Sequence, residues 1–395
     1  MTDRDLIPVS VLTGFLGAGK TSLLNGMLKQ PLLSNACVVI NEFGDVGIDH
    51  LLVEKTDENI IELSSGCLCC TIRGDLIDTL HNLLERRRAG SIKAFDRIVI
   101  ETTGLADPAP VLHVLMRDEL LLQRLKLEGV ITVVDGFNGM ATLDAHAEAV
   151  KQVAVADRIV LSKLDLLEGK EGEDMLFAII ARMRKLNPSA RLLTTHRGEA
   201  TAERLFNTGL YDAGKKSTDV QGWLAIEAVE RDEKAKHHQG HHHHDVNRHD
   251  RHIRSFALRD TRPISPQGLE LFLELLTTYH GPNLLRMKGI LLMADDPARP
   301  MVIHGVQHVL HPPVRLAGWP DNARETRLVF IVKDIEKAAI EGLFKAFTDQ
   351  IEGGGAAFTD KTLALGELHD QGLWIEEMFD VPKGVGFSGR EKNCG

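Results

Sequence analysis

Residues 14–21 fit the phosphate-binding pattern G-x-x-x-x-G-K-[ST] completely and lie between an apolar run and a segment with helical spacing. Glycines let such a loop curl so that consecutive N–H groups face phosphate oxygens, and the following helix adds its positive end. Lys20 is expected to reach the β- and γ-phosphates, and the Thr21 hydroxyl to ligate Mg²⁺. The residues predicted to hold the nucleotide here are Gly14, Phe15, Leu16, Gly17, Ala18, Gly19, Lys20, Thr21 and Ser22.

A second apolar run, residues 97–101, closes with Glu101, and Gly104 follows three residues later. This order resembles a Walker-B strand that leads into a nucleotide-sensitive loop. Glu101 is predicted to act on the metal or its water shell, and the Gly104 N–H to sense the γ-phosphate. Lys20, Thr21, Glu101 and Gly104 are therefore the predicted catalytic residues. Because no catalytic glutamine or arginine finger is evident, slow intrinsic turnover is expected, with acceleration by a client.

The choice of base is predicted from Ser162, Lys163 and Asp165, which directly follow another apolar run and are similar to the guanine-reading motif [NT]-K-x-D. Asp165 is expected to accept hydrogen bonds from the guanine N1–H and 2-amino group, and the Lys163 stem to lie along the ring. Adenine lacks this pair of donors, so GTP is favoured over ATP. Ser162 stands where Asn or Thr is usual, which is expected to weaken the internal bracing of the motif.

Three of the five cysteines, Cys67, Cys69 and Cys70, lie within four residues. In a reducing compartment such a cluster more often binds metal or does redox chemistry than forms disulfides, and three thiolates on one short loop suit Zn²⁺ or, less commonly, Co²⁺. A fourth ligand has to come from elsewhere, with Glu42, Asp45, a histidine or water as candidates. The loop lies between the first nucleotide motif and the Glu101 strand, where nucleotide-sensitive segments are usual.

The first half of the chain alternates short apolar runs with segments of helical spacing, which predicts an α/β fold with a doubly wound, mostly parallel sheet. Later runs indicate a smaller α+β domain with helices on one face of a mostly antiparallel sheet. Residues 108–122 are predicted as one helix and 301–310 as one strand. The predicted division is 1–211 for the nucleotide domain, 212–252 for a histidine-rich linker, 253–350 for the α+β domain and 351–395 for an unassigned tail.

Composition narrows the classes of partner. A formal net charge of −10 and an aromatic fraction of 5% argue against a dedicated nucleic-acid binder. No run approaches the ~18 uninterrupted apolar residues of a spanning helix, and the first eight residues lack an apolar signal core, so a cytoplasmic protein without a membrane partner is expected. Eight histidines between positions 237 and 252 are predicted to act as a shallow metal buffer, with an inert linker as the alternative.

Taken together, these motifs resemble the CobW-type GTPases, which are related to the urease and hydrogenase maturation GTPases. The resemblance is carried by residues 14–21, 41–45, 67–70, 101–108, 162–165 and, in the second domain, 284–289. It implies a metallochaperone or metal insertase that binds GTP and a transition metal and couples hydrolysis to delivery of the metal to a client metalloprotein. It also implies that Cys67, Cys69 and Cys70 hold the metal. Some members carry a further glutamate where this chain has Ile40.

Two other functions fit parts of the sequence. A passive metal-buffering or storage module is favoured if the histidine run binds most of the metal and nucleotide has no effect. A small-molecule kinase would use the same phosphate loop, but it needs an acceptor pocket and a base that the sequence does not reveal. The presence of Ser162, Lys163 and Asp165 speaks against the kinase.

Overall fold

The computed structural model describes residues 6–43, 60–65, 71–206 and 252–348. The first part is a seven-stranded parallel sheet with the strand order β3-β2-β4-β1-β5-β6-β7. Its strands are β1 Ile7–Gly14, β2 Ala36–Phe43, β3 Ile60–Ser65, β4 Arg97–Thr102, β5 Leu125–Asp135, β6 Arg158–Ser162 and β7 Arg191–Thr194. The helices that accompany it are α1 Lys20–Leu28, α2 Thr71–Arg88, α3 Ala109–Arg117, α4 Glu119–Leu122, α5 Gly139–Ala145, α6 Ala147–Val155, α7 Gly169–Leu186 and α8 Ala202–Leu205.

Helices cover both faces of this sheet because its central strands are apolar on both sides. In β4, Ile98 and Ile100 join a buried cluster with side chains of α2 and α3, whereas Val99 packs on the other face with side chains of α1. Side chains from α5, α6 and α7 pack against β6 on the same face of the sheet as α2 and α3. Alternation of this kind within continuous apolar runs is typical of a parallel sheet, and it confirms the predicted doubly wound α/β fold.

The second part is an antiparallel sheet with the strand order β11-β10-β9-β13-β8, in which β12 pairs with β10. Two helices pack on it around one apolar core. The predicted smaller α+β domain is thereby confirmed. Its elements are β8 Ile253–Asp260, α9 Pro266–His280, β9 Leu284–Leu291, β10 Met301–Val306, β11 Val309–Leu310, β12 Val314–Arg315, β13 Thr326–Lys333 and α10 Lys337–Thr348.

Two elements differ from the prediction. Residues 108–122 form two helices, because Asp118 has an extended backbone (ψ 113°) and its Oδ1 accepts a hydrogen bond from the Leu121 N–H at 2.8 Å, which starts α4 anew. Residues 301–310 form a tight hairpin rather than one strand, because Gln307 takes a left-handed backbone conformation (φ 53°) that reverses the chain. Strands β3 and β7 were not predicted.

Several predictions lie outside the described residues. These are Cys67, Cys69, Cys70, Asp45, the histidine run up to residue 251 and the tail 351–395. Among the residues that are described, no helix combines the length and the apolar character that crossing a membrane requires.

Candidate functional site

The phosphate-binding loop joins the end of β1 to the start of α1. Gly14, Gly17 and Gly19 have φ values of 142°, 70° and 94°, which L side chains rarely adopt. At Gly14 space is also lacking, since a Cβ atom there would lie 2.2 Å from the Val133 carbonyl oxygen of the neighbouring strand β5. The loop can therefore curl at the carboxyl edge of the sheet only with glycine at these positions.

Lys20 lies inside this loop. Its side chain is 5% exposed, and its Nζ donates a hydrogen bond to the Gly14 carbonyl at 3.0 Å, with the Phe15 carbonyl at 3.4 Å. The ammonium group is thus held against the loop that is predicted to hold the phosphates. The remaining loop residues are arranged around it: Phe15 is half-buried, Leu16 and Gly17 are exposed, Ala18 is buried, and Ser22 is exposed in the first turn of α1.

Thr21 and Glu101 meet at the first turn of α1. The Thr21 hydroxyl donates to Glu101 Oε1 at 2.8 Å, and both side chains are buried. Strand β4 brings Glu101 here because it pairs in parallel with β1, with Glu101 opposite Leu12. A hydroxyl and a carboxylate are hard oxygen donors of the kind that Mg²⁺ prefers, so these residues fit that ion.

The loop after β4 touches the phosphate-binding loop through Gly104. A Cβ atom on Gly104 would lie 2.5 Å from the Leu16 backbone nitrogen, so the two loops are in direct backbone contact there. The carbonyl of Gly104 accepts a hydrogen bond from Gln152 Nε2 at 3.1 Å. Sequence reasoning did not find Gln152, because one glutamine in a helix carries no motif.

Ser162 and Lys163 follow β6 at the same edge. The Ser162 hydroxyl donates to the Ala18 carbonyl at 2.6 Å, so serine does brace the phosphate-binding loop. Lys163 has a left-handed backbone (φ 56°), and its Nζ pairs with Asp135 Oδ2 at 2.8 Å. Asp165 lies just beyond, exposed on a short 3₁₀ turn.

Asp135 is a second residue that sequence reasoning missed. It closes β5, and its carboxylate accepts hydrogen bonds from the backbone N–H groups of Phe137 and Asn138, both at 2.9 Å. Burial alone would raise its pKa, but the hydrogen bonds from Lys163, Asn138 and Phe137 outweigh burial and lower it. An ionised Asp135 therefore fixes the Lys163 side chain beside the loop. The sequence did contain a signal for Asp135, because, like Glu101, it is an acidic residue at the end of an apolar run.

The backbone places Glu42 near the predicted metal loop. Glu42 in β2 pairs in register with Ser64 in β3, and Cys67 follows Ser64 by three residues. Cys67, Cys69, Cys70 and Asp45 lie outside the described residues. Within the described ranges, no group of three or more His, Cys, Asp or Glu residues is placed to hold a metal ion.

Comparison with known proteins identifies both parts of the chain. Residues 8–194 match the family described as CobW/HypB/UreG, nucleotide-binding domain, and residues 253–348 match the cobalamin synthesis protein cobW C-terminal domain. The chain is 31% identical over 338 residues to the zinc chaperone YjiA of Escherichia coli, a match that spans 86% of this chain and 98% of YjiA. It is 30% identical over 328 residues to a zinc-regulated GTPase metalloprotein activator of Dictyostelium discoideum, spanning 74% of this chain and 64% of that protein.

A solved structure agrees with these matches. The crystal structure of the Zn(II)-bound YjiA GTPase from Escherichia coli superimposes with a TM-score of 0.62 at 27% identity, covering 87% of this chain and 99% of that one. The fold, the phosphate-binding loop and the second domain therefore all indicate the same family, which is the family that the sequence resembles. The chain belongs to the CobW/HypB/UreG family of P-loop GTPases.

Proposed function

We propose that this GTPase is a GTP-dependent zinc chaperone. Zn²⁺ is its cargo, bound by Cys67, Cys69 and Cys70, and GTP hydrolysis is coupled to transfer of the ion to a client metalloprotein. The names of the relatives support zinc as the metal, since they include a zinc chaperone and a zinc-regulated GTPase metalloprotein activator. Co²⁺ remains an alternative cargo for thiolate ligands.

The observation that carries this proposal is the position of the two ends of the cysteine loop. Strand β3 ends at Ser65, at the carboxyl edge of the sheet, and α2 begins at Thr71, so the cysteines follow in sequence directly after that edge. The phosphate-binding loop after β1 and the end of β4 at Glu101 and Thr102 lie at this same edge. Glu42 reaches it in register with Ser64 and is favoured as the fourth ligand over the other candidates, which are Asp45, a histidine and water.

The nucleotide is bound by groups that the fold has already brought together. Backbone N–H groups of the phosphate-binding loop and the Lys20 ammonium bind the phosphates, and the Gly104 N–H senses the γ-phosphate. Thr21 and Glu101 hold Mg²⁺, which when bound neutralises charge on the β- and γ-phosphate oxygens. Asp165 reads the guanine, and Asp135 keeps the Lys163 side chain in place beside it.

Coupling between nucleotide and zinc follows from linkage. If GTP orders the cysteine loop so that the three thiolates converge, GTP raises the affinity for zinc, and zinc raises the affinity for GTP by the same factor. Couplings of this kind are ordinarily about 5- to 150-fold. Hydrolysis removes the γ-phosphate contact at Gly104, loosens the loop and lowers the affinity for zinc at the moment of transfer.

The test is the affinity for Zn²⁺ and for Co²⁺, measured by competition with a chromophoric chelator in the presence of a GTP analogue, of GDP and of no nucleotide. Wild type is compared with a variant in which Cys67, Cys69 and Cys70 are all serine. Cys37→Ala is the matched control, because Cys37 is buried, and burial raises the pKa of its thiol to about 12.

The expected result is tighter binding with the GTP analogue than with GDP in wild type and in Cys37→Ala, and loss of this binding in the triple serine variant. Equal affinity in all three nucleotide states would rule out the coupled chaperone and leave the metal-buffering module. Nucleotide-dependent zinc binding that persists in the triple serine variant would show that the cargo site does not consist of these cysteines.

A further inference from the structure

Helix α6, Ala147–Val155, lies between the nucleotide site and the C-terminal domain. At its amino end His146 stacks on Phe15 of the phosphate-binding loop, with ring centroids 4.4 Å apart. Near its carboxyl end Ala154 packs with Leu285 and Ile331 of the second sheet. A helix of this length spans about 13 Å. One short rigid element therefore touches both parts of the molecule.

On the nucleotide side, α6 holds the loop that follows Glu101. The Gln152 amide nitrogen donates to the carbonyls of Gly104 at 3.1 Å and Ala106 at 3.0 Å. Only the NH₂ group of the side chain can donate to two carbonyls, and the side chain is 1% exposed, so its orientation is fixed. Lys151 adds an ion pair with Asp107 at 3.1 Å. Three residues of this loop, at positions 104, 106 and 107, are thus tied to α6.

The carboxyl end of α6 is held by side chains from elsewhere. The last carbonyls of a helix lack partners within the helix. Here Asn187 Nδ2 lies 2.8 Å from the Val153 carbonyl, 3.1 Å from that of Ala154 and 2.9 Å from that of Ala156, and the Thr132 hydroxyl donates to the Gln152 carbonyl at 2.7 Å. These contacts oppose fraying, so a displacement of α6 is expected to move the helix as a unit.

On the far side, Asp157 joins the C-terminal domain two residues after α6 ends. Its carboxylate lies 2.6 Å from both the Arg286 guanidinium and the Lys288 ammonium of β9, and it accepts the Val130 N–H at 2.9 Å. The side chains of Asp157, Arg286 and Lys288 are at most 2% exposed. Strand β9 is therefore connected to the end of α6 through charged contacts from which water is excluded.

We infer that α6 is the connector through which the nucleotide state at Gly104 reaches the C-terminal domain, with Gln152 as the positioning residue at the nucleotide end. This inference rests on the proposed sensing of the γ-phosphate by Gly104. When the Gly104 peptide moves toward the γ-phosphate, its carbonyl pulls on the Gln152 amide. Because packed elements move as units rather than deform, α6 carries the shift to Ala154 and Asp157 and so to β9.

The experiment is hydrogen exchange of the full chain, followed by mass spectrometry, with GDP and with a non-hydrolysable GTP analogue. Two peptides report on it, one covering residues 103–108 and one covering 284–291. In wild type both should change protection between the two nucleotides, the second by at least about fivefold if the coupling is of ordinary size. Gln152→Met keeps the length of the side chain but lacks both donors, so residues 103–108 should still respond and residues 284–291 should not.

Two further variants guard against misfolding as the explanation. Lys151→Met removes only the partly exposed ion pair with Asp107 and should reduce the response at 284–291 without unfolding the protein. Lys170→Met, on the exposed start of α7, is the matched control and should respond as wild type does. An unchanged response at 284–291 in either Gln152→Met or Lys151→Met would overturn the connector, as would a wild type in which only residues 103–108 respond.

Zinc affinities measured on the same samples separate this inference from the proposed function. Nucleotide-dependent zinc binding without any response at 284–291 would refute the connector and leave the chaperone standing. A response at 284–291 with zinc affinity independent of nucleotide would refute the coupled chaperone and leave the connector standing.

Discussion

Replacing Asp157 with asparagine should destabilise the protein strongly, because the buried Arg286 and Lys288 would both lose the carboxylate that they contact. All three side chains are at most 2% exposed, and both cations lie 2.6 Å from the same carboxylate. Removing one partner of such a buried pair ordinarily costs about 3–5 kcal/mol. The measurement is the free energy of unfolding from urea titration, followed by circular dichroism.

Glu85→Gln provides the comparison, because the pair of Glu85 and Arg124 has the same chemistry at the surface, with side chains 59% and 42% exposed. Pairs of that kind contribute at most about 1 kcal/mol. If Asp157→Asn cost no more than Glu85→Gln, the reasoning from burial would be wrong, and water would have to reach the interface.

The pH dependence of the free energy of unfolding tests the role of Asp157 independently. Burial alone would raise the pKa of Asp157, but Arg286 and Lys288 outweigh burial and hold it well below the ordinary value of 3.8. The carboxylate therefore contributes its full stability above about pH 4, where the unfolded chain is ionised as well, and loses it as the pH falls toward the depressed folded pKa. The difference between wild type and Asp157→Asn should be constant near neutrality and shrink in acid; a difference that grows in acid would contradict this assignment.

Three further predictions concern the nucleotide site and the cysteines. Gly14→Ala should abolish binding of a fluorescent GTP analogue while the fold persists in circular dichroism, because its Cβ would lie 2.2 Å from the Val133 carbonyl; retained binding would refute the argument from space. Asp165→Ala should weaken GDP binding by about 3 kcal/mol, roughly 150-fold, because it removes hydrogen bonds to a charged acceptor. The binding is measured by calorimetry, and an equal loss of affinity for ADP would contradict a guanine-reading role. Cys37 should resist iodoacetamide at pH 8 in the native protein, because burial raises its pKa to about 12, and rapid labelling seen by mass spectrometry would show that the strand opens.

The sequence predicted the parts of the site whose residues are contiguous in the chain. The phosphate-binding loop is one such stretch, and its glycines are required by backbone angles that the pattern already implied. Glu101 could be placed because it closes an apolar run, and the parallel pairing of β4 with β1 then brings it to Thr21. Motifs at the carboxyl ends of parallel strands come together at one edge wherever the sheet forms, so a local pattern was sufficient.

The residues that were missed act through tertiary contacts that no local pattern encodes. Gln152 is one glutamine in an amphipathic helix, and its role depends on the path of a loop 46 residues earlier. Strand β3 was missed because it is short and follows an acidic stretch, so that its partner β2 rather than its own composition defines it. Ser162 was expected to weaken the guanine motif, yet its hydroxyl reaches the Ala18 carbonyl at 2.6 Å.

Arg286 and Lys288 are also residues whose role no local pattern explains. Both belong to the segment 284–289 that carried the family resemblance. The rest of that strand is apolar, and nothing within the strand accounts for two buried cations. Asp157 accounts for them, and it directly precedes the strand that ends in the guanine motif. The apolar contact of Ala154, Leu285 and Ile331 is not directional, so it brings the domains together without fixing their angle. Two hydrogen-bonding cations on one buried carboxylate do fix an angle. Removing one partner of a buried ion cluster is costly, but exchanging the whole cluster for apolar residues is often neutral, so these charges are better understood as setting the orientation of the C-terminal domain than as adding to its stability.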